Sequence, residues 1–262
     1  MSGESIRVDS MPGRAIRVDA SAARALMGGG IVEQVTDERT ARQQLSALTH
    51  DRTLFADWLG ALGFSDDSRP AAVLVLFGVL DTVAADHDAR TRAVSADLDV
   101  LLLARAETLS SHAGQVAFPG GRIDPGDTGP VDAALREAVE ETGLDRDGVE
   151  ILGTLPELPL PYSSHRVTPV LGWWARPTQV GVVDERESSS VFRVPVADLL
   201  NPANRWSTRL RRGGESLTGP AWFVHADGQR QLVWGFTAGV LDRVFTRLGW
   251  TEPWDETRYI DL

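Results

Sequence analysis

Residues 118–144 read FPGGRIDPGDTGPVDAALREAVEETGL, and the second half of this stretch has the periodicity of a short helix. At 100° per residue, an apolar stripe forms on one side of that helix from Val131, Leu135, Ala138, Val139 and Thr142. Glu137, Glu140 and Glu141 fall together on the opposite side, because residues three and four apart are neighbours on a helix. Gly143 follows as a C-terminal stop. We therefore expect the stripe to pack on a core and the glutamates to face a cleft.

The three glutamates predict a particular chemistry. Carboxylates on one helix face repel one another, and oxygen-rich clusters of this kind suit hard cations such as Mg²⁺ or Mn²⁺. The alternative is a solvated helix face, which is the more common origin of an acidic stripe. Ahead of the helix, Gly120 and Gly121 allow the backbone to turn where a Cβ would obstruct it.

The spacing of the fixed positions carries a resemblance to a known family. The string Gly121-x5-Asp127-x8-Arg136-Glu137-Ala138-x-Glu140-Glu141-x-Gly143-Leu144 closely resembles the Nudix box, Gly-x5-Glu-x7-Arg-Glu-U-x-Glu-Glu-x-Gly-U, where U is aliphatic. Asp127 stands where the box has Glu, and one extra residue follows it. The resemblance implies an α/β/α sandwich with a mixed β-sheet and metal-dependent hydrolysis of a nucleoside diphosphate linked to another group.

A second resemblance precedes the box. Residues 101–121 look like the signature of coenzyme A diphosphatases within the Nudix superfamily, with Arg105 and Gly114 in place. Leu103 replaces a Thr of that signature, and Ser110 replaces its second Arg. The segments 187–195 and 233–238 resemble later parts of the same subfamily, so the resemblance covers roughly residues 69–250.

The resemblance implies that the chain hydrolyses the pyrophosphate bond of coenzyme A or its thioesters, giving 3′,5′-ADP and a 4′-phosphopantetheine product. The departures at Leu103 and Ser110 keep open another nucleoside-diphosphate derivative, such as ADP-ribose or a dinucleotide. A third reading is a non-catalytic Nudix domain that binds a nucleotide as a regulator. All three helix glutamates are present, which favours an enzyme.

The resemblance also assigns roles at the metal site. Glu137, Glu140 and Glu141 are expected to bind Mg²⁺ or Mn²⁺, and one of them also acts as the base for the attacking water. Arg136 is expected to pair with a neighbouring carboxylate and hold it in register. Glu187 is the candidate for a further metal ligand, with a solvated glutamate as the alternative.

Four residues are candidates for substrate binding: Arg105, Gly120, Gly121 and His112. For Arg105 a structural salt bridge is an equal alternative, and for His112 a hydrogen-bonded structural role is favoured. The segment Arg209–Arg212 is the densest basic cluster, and we expect a surface loop there. Recognition of a 3′-phosphate by Arg211 and Arg212 stays open.

Composition narrows the class of protein. The 262 residues carry a formal net charge of −11, which argues against non-specific binding to nucleic acid or to anionic membranes. The chain has no cysteine, so disulfides and thiolate chemistry are excluded. The longest apolar run, Ala71–Leu80, is too short to span a bilayer, and a cytoplasmic location is the default. The expected partner is a coenzyme A-like small molecule, and a homodimer is left open.

The order of patterns predicts three regions. Residues 1–35 form an N-terminal tail, read either as a hairpin or as a poorly ordered segment. Residues 36–68 form a helical extension, because apolar residues recur there at helical spacing. Residues 69–262 form the catalytic domain, in which strands and helices alternate without a linker.

Overall fold

The computed structural model describes residues 40–61, 67–80, 85–107, 114–160, 164–212, 215–226 and 228–262. These residues all belong to one compact unit. The tail predicted for residues 1–35 lies outside the described residues.

The helices and strands follow the alternation that the sequence predicts. The helices are α1 (Ala41–Leu48), α2 (Ala56–Ala61), α3 (Pro130–Thr142), α4 (Val196–Leu200) and α5 (Gly235–Arg247). The strands are β1 (Arg69–Val79), β2 (Leu98–Arg105), β3 (Val116–Ala117), β4 (Gly120–Arg122), β5 (Val149–Thr154), β6 (Leu158–Leu160), β7 (His165–Trp174), β8 (Ser188–Pro195), β9 (Arg205–Arg212), β10 (Glu215–Ala226), β11 (Gln229–Val233) and β12 (Tyr259–Asp261). None of the helices among the described residues has the length and apolarity needed to cross a bilayer.

Two sheets organise the described chain. The larger runs β3-β2-β1-β7-β5, with β4 beside β1, β6 beside β7 and β8 beside β2. In this sheet β1 and β7 run parallel and the other pairs are antiparallel. The smaller sheet runs β11-β10-β9-β12. The prediction of an α/β fold around a mixed sheet is therefore confirmed.

Alternation along β1 assigns its two faces to two cores. Leu74 and Leu76 lie in a buried cluster with Ala133, Ala134, Leu135 and Ala138 of α3. Val75 and Phe77 lie in a larger cluster with α5 residues such as Leu241. The sheet is thus covered by α3 on one face and by α5 on the other.

The helical pattern predicted for residues 36–68 corresponds to α1 and α2. Thr40 begins α1 with a capping box, in which its side chain accepts from the Gln43 N–H and the Gln43 side chain accepts from the Thr40 N–H. Leu45 and Phe55 lie in the same buried cluster as Val75. These helices share the core of the sheet, and a domain boundary at residue 69 stays a prediction.

The predicted buried stripe of α3 is partly wrong. Val139 is 37% exposed, whereas Ala133 and Ala134 are fully buried. The buried residues of α3 therefore lie along a line rotated from the predicted one. Glu141, predicted on the polar side, is buried as a result of the same rotation.

The surface loop predicted at Arg209–Arg212 is also wrong. This segment forms the end of β9 and pairs with the start of β10. Thr208, immediately before it, is buried, and Arg209 forms an ion pair with Asp261 of the adjacent β12. Pairing with β10 along the whole segment, and with β12 at Arg209, makes this basic segment a strand.

Candidate active site

The glycine pair ahead of α3 brings backbone into contact with the helix glutamates. β4 lies against the start of β1, with Gly120 opposite Val73. A Cβ at Gly120 would collide with β1 backbone, and a Cβ at Gly121 would collide with the carboxylate of Glu137. Gly120 therefore has to be glycine for this close approach, whereas a side chain at Gly121 would displace the Glu137 carboxylate.

Glu141 is held by β4. The Gly120 N–H donates a hydrogen bond to Glu141 Oε2 at 2.9 Å, and Glu141 is 7% exposed. The pKa of Glu141 is raised to about 7, chiefly by burial and also by the charges of Glu137 and Glu187, while the Gly120 hydrogen bond and the charge of Arg105 act in the opposite direction. Three carboxylates and one guanidinium thus act on the same small region.

Glu137 lies one turn before Glu141 and is 19% exposed in its side chain. Burial raises its pKa, and the adjacent Arg136 opposes that shift. The Glu137 Oε1 atom lies 3.0 Å from Arg136 Nη1. Glu137 and Glu141 therefore lie beside Gly121 and Gly120 of β4 as two carboxylates withdrawn from solvent.

Arg136 organises the loop beneath these carboxylates. Its guanidinium donates to both carboxylate oxygens of Asp127, at 3.0 and 3.1 Å, and to the Arg122 carbonyl at 3.1 Å. The Asp127 side chain is 5% exposed, and the hydrogen bonds from Arg136 lower its pKa. The pairing of Arg136 with a carboxylate agrees with the expectation, but the sequence singled out Asp127 only as a departure from the box. Asp127 carries a charge opposite to that of Arg136, and this charge could have identified Asp127 as the partner of Arg136.

Glu140 occupies a different environment from the other two glutamates. Its side chain is 57% exposed, and Oε2 accepts a hydrogen bond from Arg136 Nη1 at 3.0 Å. The structure thus places Glu137 and Glu141 beside the two glycines of β4, and it leaves Glu140 on the exposed side of α3.

Arg105 and Glu187 approach the same region from the β2–β8 edge. The Ala106 N–H donates to the Glu187 carbonyl at 2.9 Å, and Arg105 lies opposite Ser188 across the two strands. Arg105 Nε is buried without a hydrogen-bond partner, whereas Glu187 is exposed. Their charges reach Glu141, although they come from a separate part of the chain.

The donor chemistry of this region fits a divalent cation. Among the described residues, no three His, Asp or Glu side chains converge closely enough to form a ready-made metal site. Burial nevertheless withdraws Glu137 and Glu141 from water, and the negative charge of Glu187 adds to theirs. A cation bound between them would supply the positive charge that these carboxylates lack.

Three candidates from the sequence, His112 and the side chains of Arg211 and Arg212, lie outside the described residues. The described part of the site therefore consists of β4, α3 and the β2–β8 edge.

Comparison with known proteins identifies the family of this chain. The model of the NUDIX domain matches residues 86–212. The uncharacterized Nudix hydrolases NudL of Cronobacter sakazakii and Escherichia fergusonii are 36% and 37% identical over 151 residues, which cover 57% of this chain and 75% of each relative. A solved MutT/nudix family protein from Enterococcus faecalis aligns over 80% of this chain and 74% of its own, with 16% identity and a TM-score of 0.42. The chain belongs to the Nudix hydrolase family, whose members generally use divalent metal ions, and it is a pyrophosphohydrolase of nucleoside-diphosphate derivatives.

Proposed function

We propose that this enzyme hydrolyses the pyrophosphate bond of coenzyme A or its thioesters, giving 3′,5′-ADP and a 4′-phosphopantetheine product. One observation carries the proposal. Arg105, which belongs to the coenzyme A diphosphatase-like signature, lies in the electrostatic field of Glu141, which belongs to the Nudix box. The two resemblances therefore concern one site rather than two separate parts of the molecule.

The substrate explains why carboxylates are needed near an anion. A pyrophosphate carries negative charge at the point of attack and repels an incoming nucleophile. Mg²⁺ or Mn²⁺, when bound, neutralises this charge and acidifies the attacking water. Glu137, Glu141 and Glu187 would hold the cation, and Glu140 would join them only after leaving Arg136. One glutamate of this set accepts the proton of the water.

The remaining residues orient the reacting groups. Arg136, fixed by Asp127, holds Glu137 in place and so acts as a positioning residue. A buried guanidinium N–H without a partner is unfavourable, and a phosphate oxygen would satisfy the one on Arg105. Backbone groups of Gly120 and Gly121 line the same region and would contact the phosphates.

A direct comparison of substrates tests the proposal. Coenzyme A, dephospho-coenzyme A and ADP-ribose would be offered side by side with Mg²⁺ and Mn²⁺, with products identified by mass spectrometry. We expect 3′,5′-ADP from coenzyme A, and a kcat/KM about tenfold or more above that for dephospho-coenzyme A. A clear preference for ADP-ribose would contradict the proposal.

A further inference from the structure

A pair of buried donors lies where the end of β2 meets the start of β8. Arg105 Nε and Ser188 Oγ are both withdrawn from solvent, and neither has a hydrogen-bond partner within the part of the chain that the structure describes. Ser188 is only 1% exposed, so bulk water does not reach it. Buried hydroxyl and guanidinium groups without partners are unfavourable. Two such groups side by side therefore indicate a binding position.

Strand register places these two groups on the face of the sheet that carries the candidate active site. Arg105 lies opposite Ser188, and the Cβ atoms of opposed residues are about 5 Å apart. The preceding residue of β2, Ala104, belongs to the core on the α5 side, so the Arg105 side chain faces the α3 side. The charge of Arg105 acts on Glu141 of α3, in agreement with this placement.

A β-bulge brings Ser188 opposite Arg105. Ser190 lies opposite Ala104. Ser188 lies opposite the next residue of β2, so Ser189 is an extra residue in β8. Ser189 is exposed, and its hydroxyl donates to the Ala104 carbonyl at 3.3 Å. Bulges are found next to active sites, where they re-aim a side chain, and this one directs the Ser188 hydroxyl to the guanidinium.

The chemistry of this pair favours an anionic oxygen. A guanidinium has donors and no acceptor, and it keeps its positive charge in proteins. The Ser188 hydroxyl can also donate, so both groups can direct a hydrogen atom at one acceptor. Phosphate oxygens are acceptors of this kind, and their negative charge strengthens each hydrogen bond. The pair is therefore suited to hold a phosphate oxygen next to the carboxylates that would bind the cation.

We infer that Ser188 is a substrate-binding residue, whose hydroxyl donates to the same pyrophosphate oxygen that Arg105 contacts. Two donors on different strands fix the position of that oxygen more closely than one donor does, and so hold the pyrophosphate in line for attack. This inference rests on the part of the proposed function that places a pyrophosphate near Arg105. It concerns the pyrophosphate alone, and it therefore applies equally to coenzyme A and to ADP-ribose.

Ser188→Ala and Ser190→Ala provide a matched pair of variants. The Ser190 hydroxyl is also buried without a partner among the described residues, but Ser190 lies opposite Ala104 and so faces the α5 side of the sheet. Each substitution removes an unsatisfied buried hydroxyl, so both variants should unfold at the wild-type temperature or above it. We expect Ser188→Ala to lower kcat/KM for coenzyme A by about tenfold or more, because it removes a hydrogen bond to a charged group. Ser190→Ala should keep the wild-type value.

A second substrate and a double variant complete the test. ADP-ribose has the same pyrophosphate, so its kcat/KM should fall by a similar factor in Ser188→Ala. Ser188→Ala should cost less in an Arg105→Gln background than in wild type, because both groups bind one oxygen. Wild-type kcat/KM in Ser188→Ala, or equal losses in Ser188→Ala and Ser190→Ala, would overturn the role of Ser188 while leaving the proposed function standing. A wild-type preference for ADP-ribose, with the loss in Ser188→Ala retained, would overturn the proposed function and leave the role of Ser188 standing.

Discussion

The backbone N–H of Gly120 donates a hydrogen bond to the Glu141 carboxylate at 2.9 Å, across 21 residues of sequence. This contact joins β4 to Glu141, the buried glutamate of α3. It orients a carboxylate that burial would otherwise leave without a partner. The geometry of the proposed metal site therefore depends on how closely β4 approaches α3.

Substitution of Gly121 tests this dependence. In Gly121→Ala the new methyl group collides with the Glu137 carboxylate and displaces it. We expect kcat to fall by about 100-fold, the effect of a misplacement of about 1 Å in a catalytic group. Gly126→Ala is the control, because a Cβ there meets nothing within 4 Å. Steady-state kinetics of the two variants would decide, and equal activity would contradict the account.

Asp127 gives a prediction about stability and pH. Arg136 holds the pKa of Asp127 below its ordinary value of 3.8, so the pairing stabilises the fold above that pH and is lost as the pH falls through the lower, folded-state pKa. Asp127→Asn should therefore lower the free energy of unfolding at pH 7 and lose this effect in strong acid. Urea unfolding at pH 7 and in strong acid measures this change in the free energy of unfolding. Asp124→Asn, at a carboxylate 63% exposed and 3.8 Å from Arg136, should change little.

Asp99 gives the opposite pH dependence. Its pKa is raised from 3.8 to about 7 by burial, so its ionisation destabilises the fold progressively between these values and fully above pH 7. The free energy of unfolding of Asp99→Asn, relative to wild type, should rise by about 1 kcal/mol or more from pH 5 to pH 8. Chemical denaturation at both pH values measures this difference. A difference that is constant with pH would show that Asp99 does not titrate in this range.

The sequence could predict those features that depend on local pattern. The 3.6-residue period identified α3, and the spacing of Glu137, Glu140 and Glu141 predicted that all three share one face of that helix. The period could not show that alanines rather than Val139 face the sheet, because that choice depends on the distance between layers. The spacing likewise could not show that Glu141 is buried, whereas Glu140 is exposed to solvent and pairs with Arg136.

Contacts between distant segments account for the rest. The position of Ser188 opposite Arg105 follows from the register of β8 on β2, which no local pattern specifies. The basic segment Arg209–Arg212 became a strand because β10 and β12 pair with β9, although its composition suggested a loop.

The central claim is that Glu137 and Glu141 hold the catalytic cation, and a Mn²⁺ titration of Glu141→Gln tests it most directly. Free Mn²⁺ would be followed by electron paramagnetic resonance, together with turnover, in wild type, Glu141→Gln and Glu140→Gln. We expect Glu141→Gln to bind Mn²⁺ more weakly and to lose at least about two orders of magnitude in kcat, because it removes a metal ligand. Its thermal unfolding should change little, since the substitution removes a buried charge. The exposed Glu140→Gln should lose less. Wild-type Mn²⁺ affinity and turnover in Glu141→Gln would contradict the account.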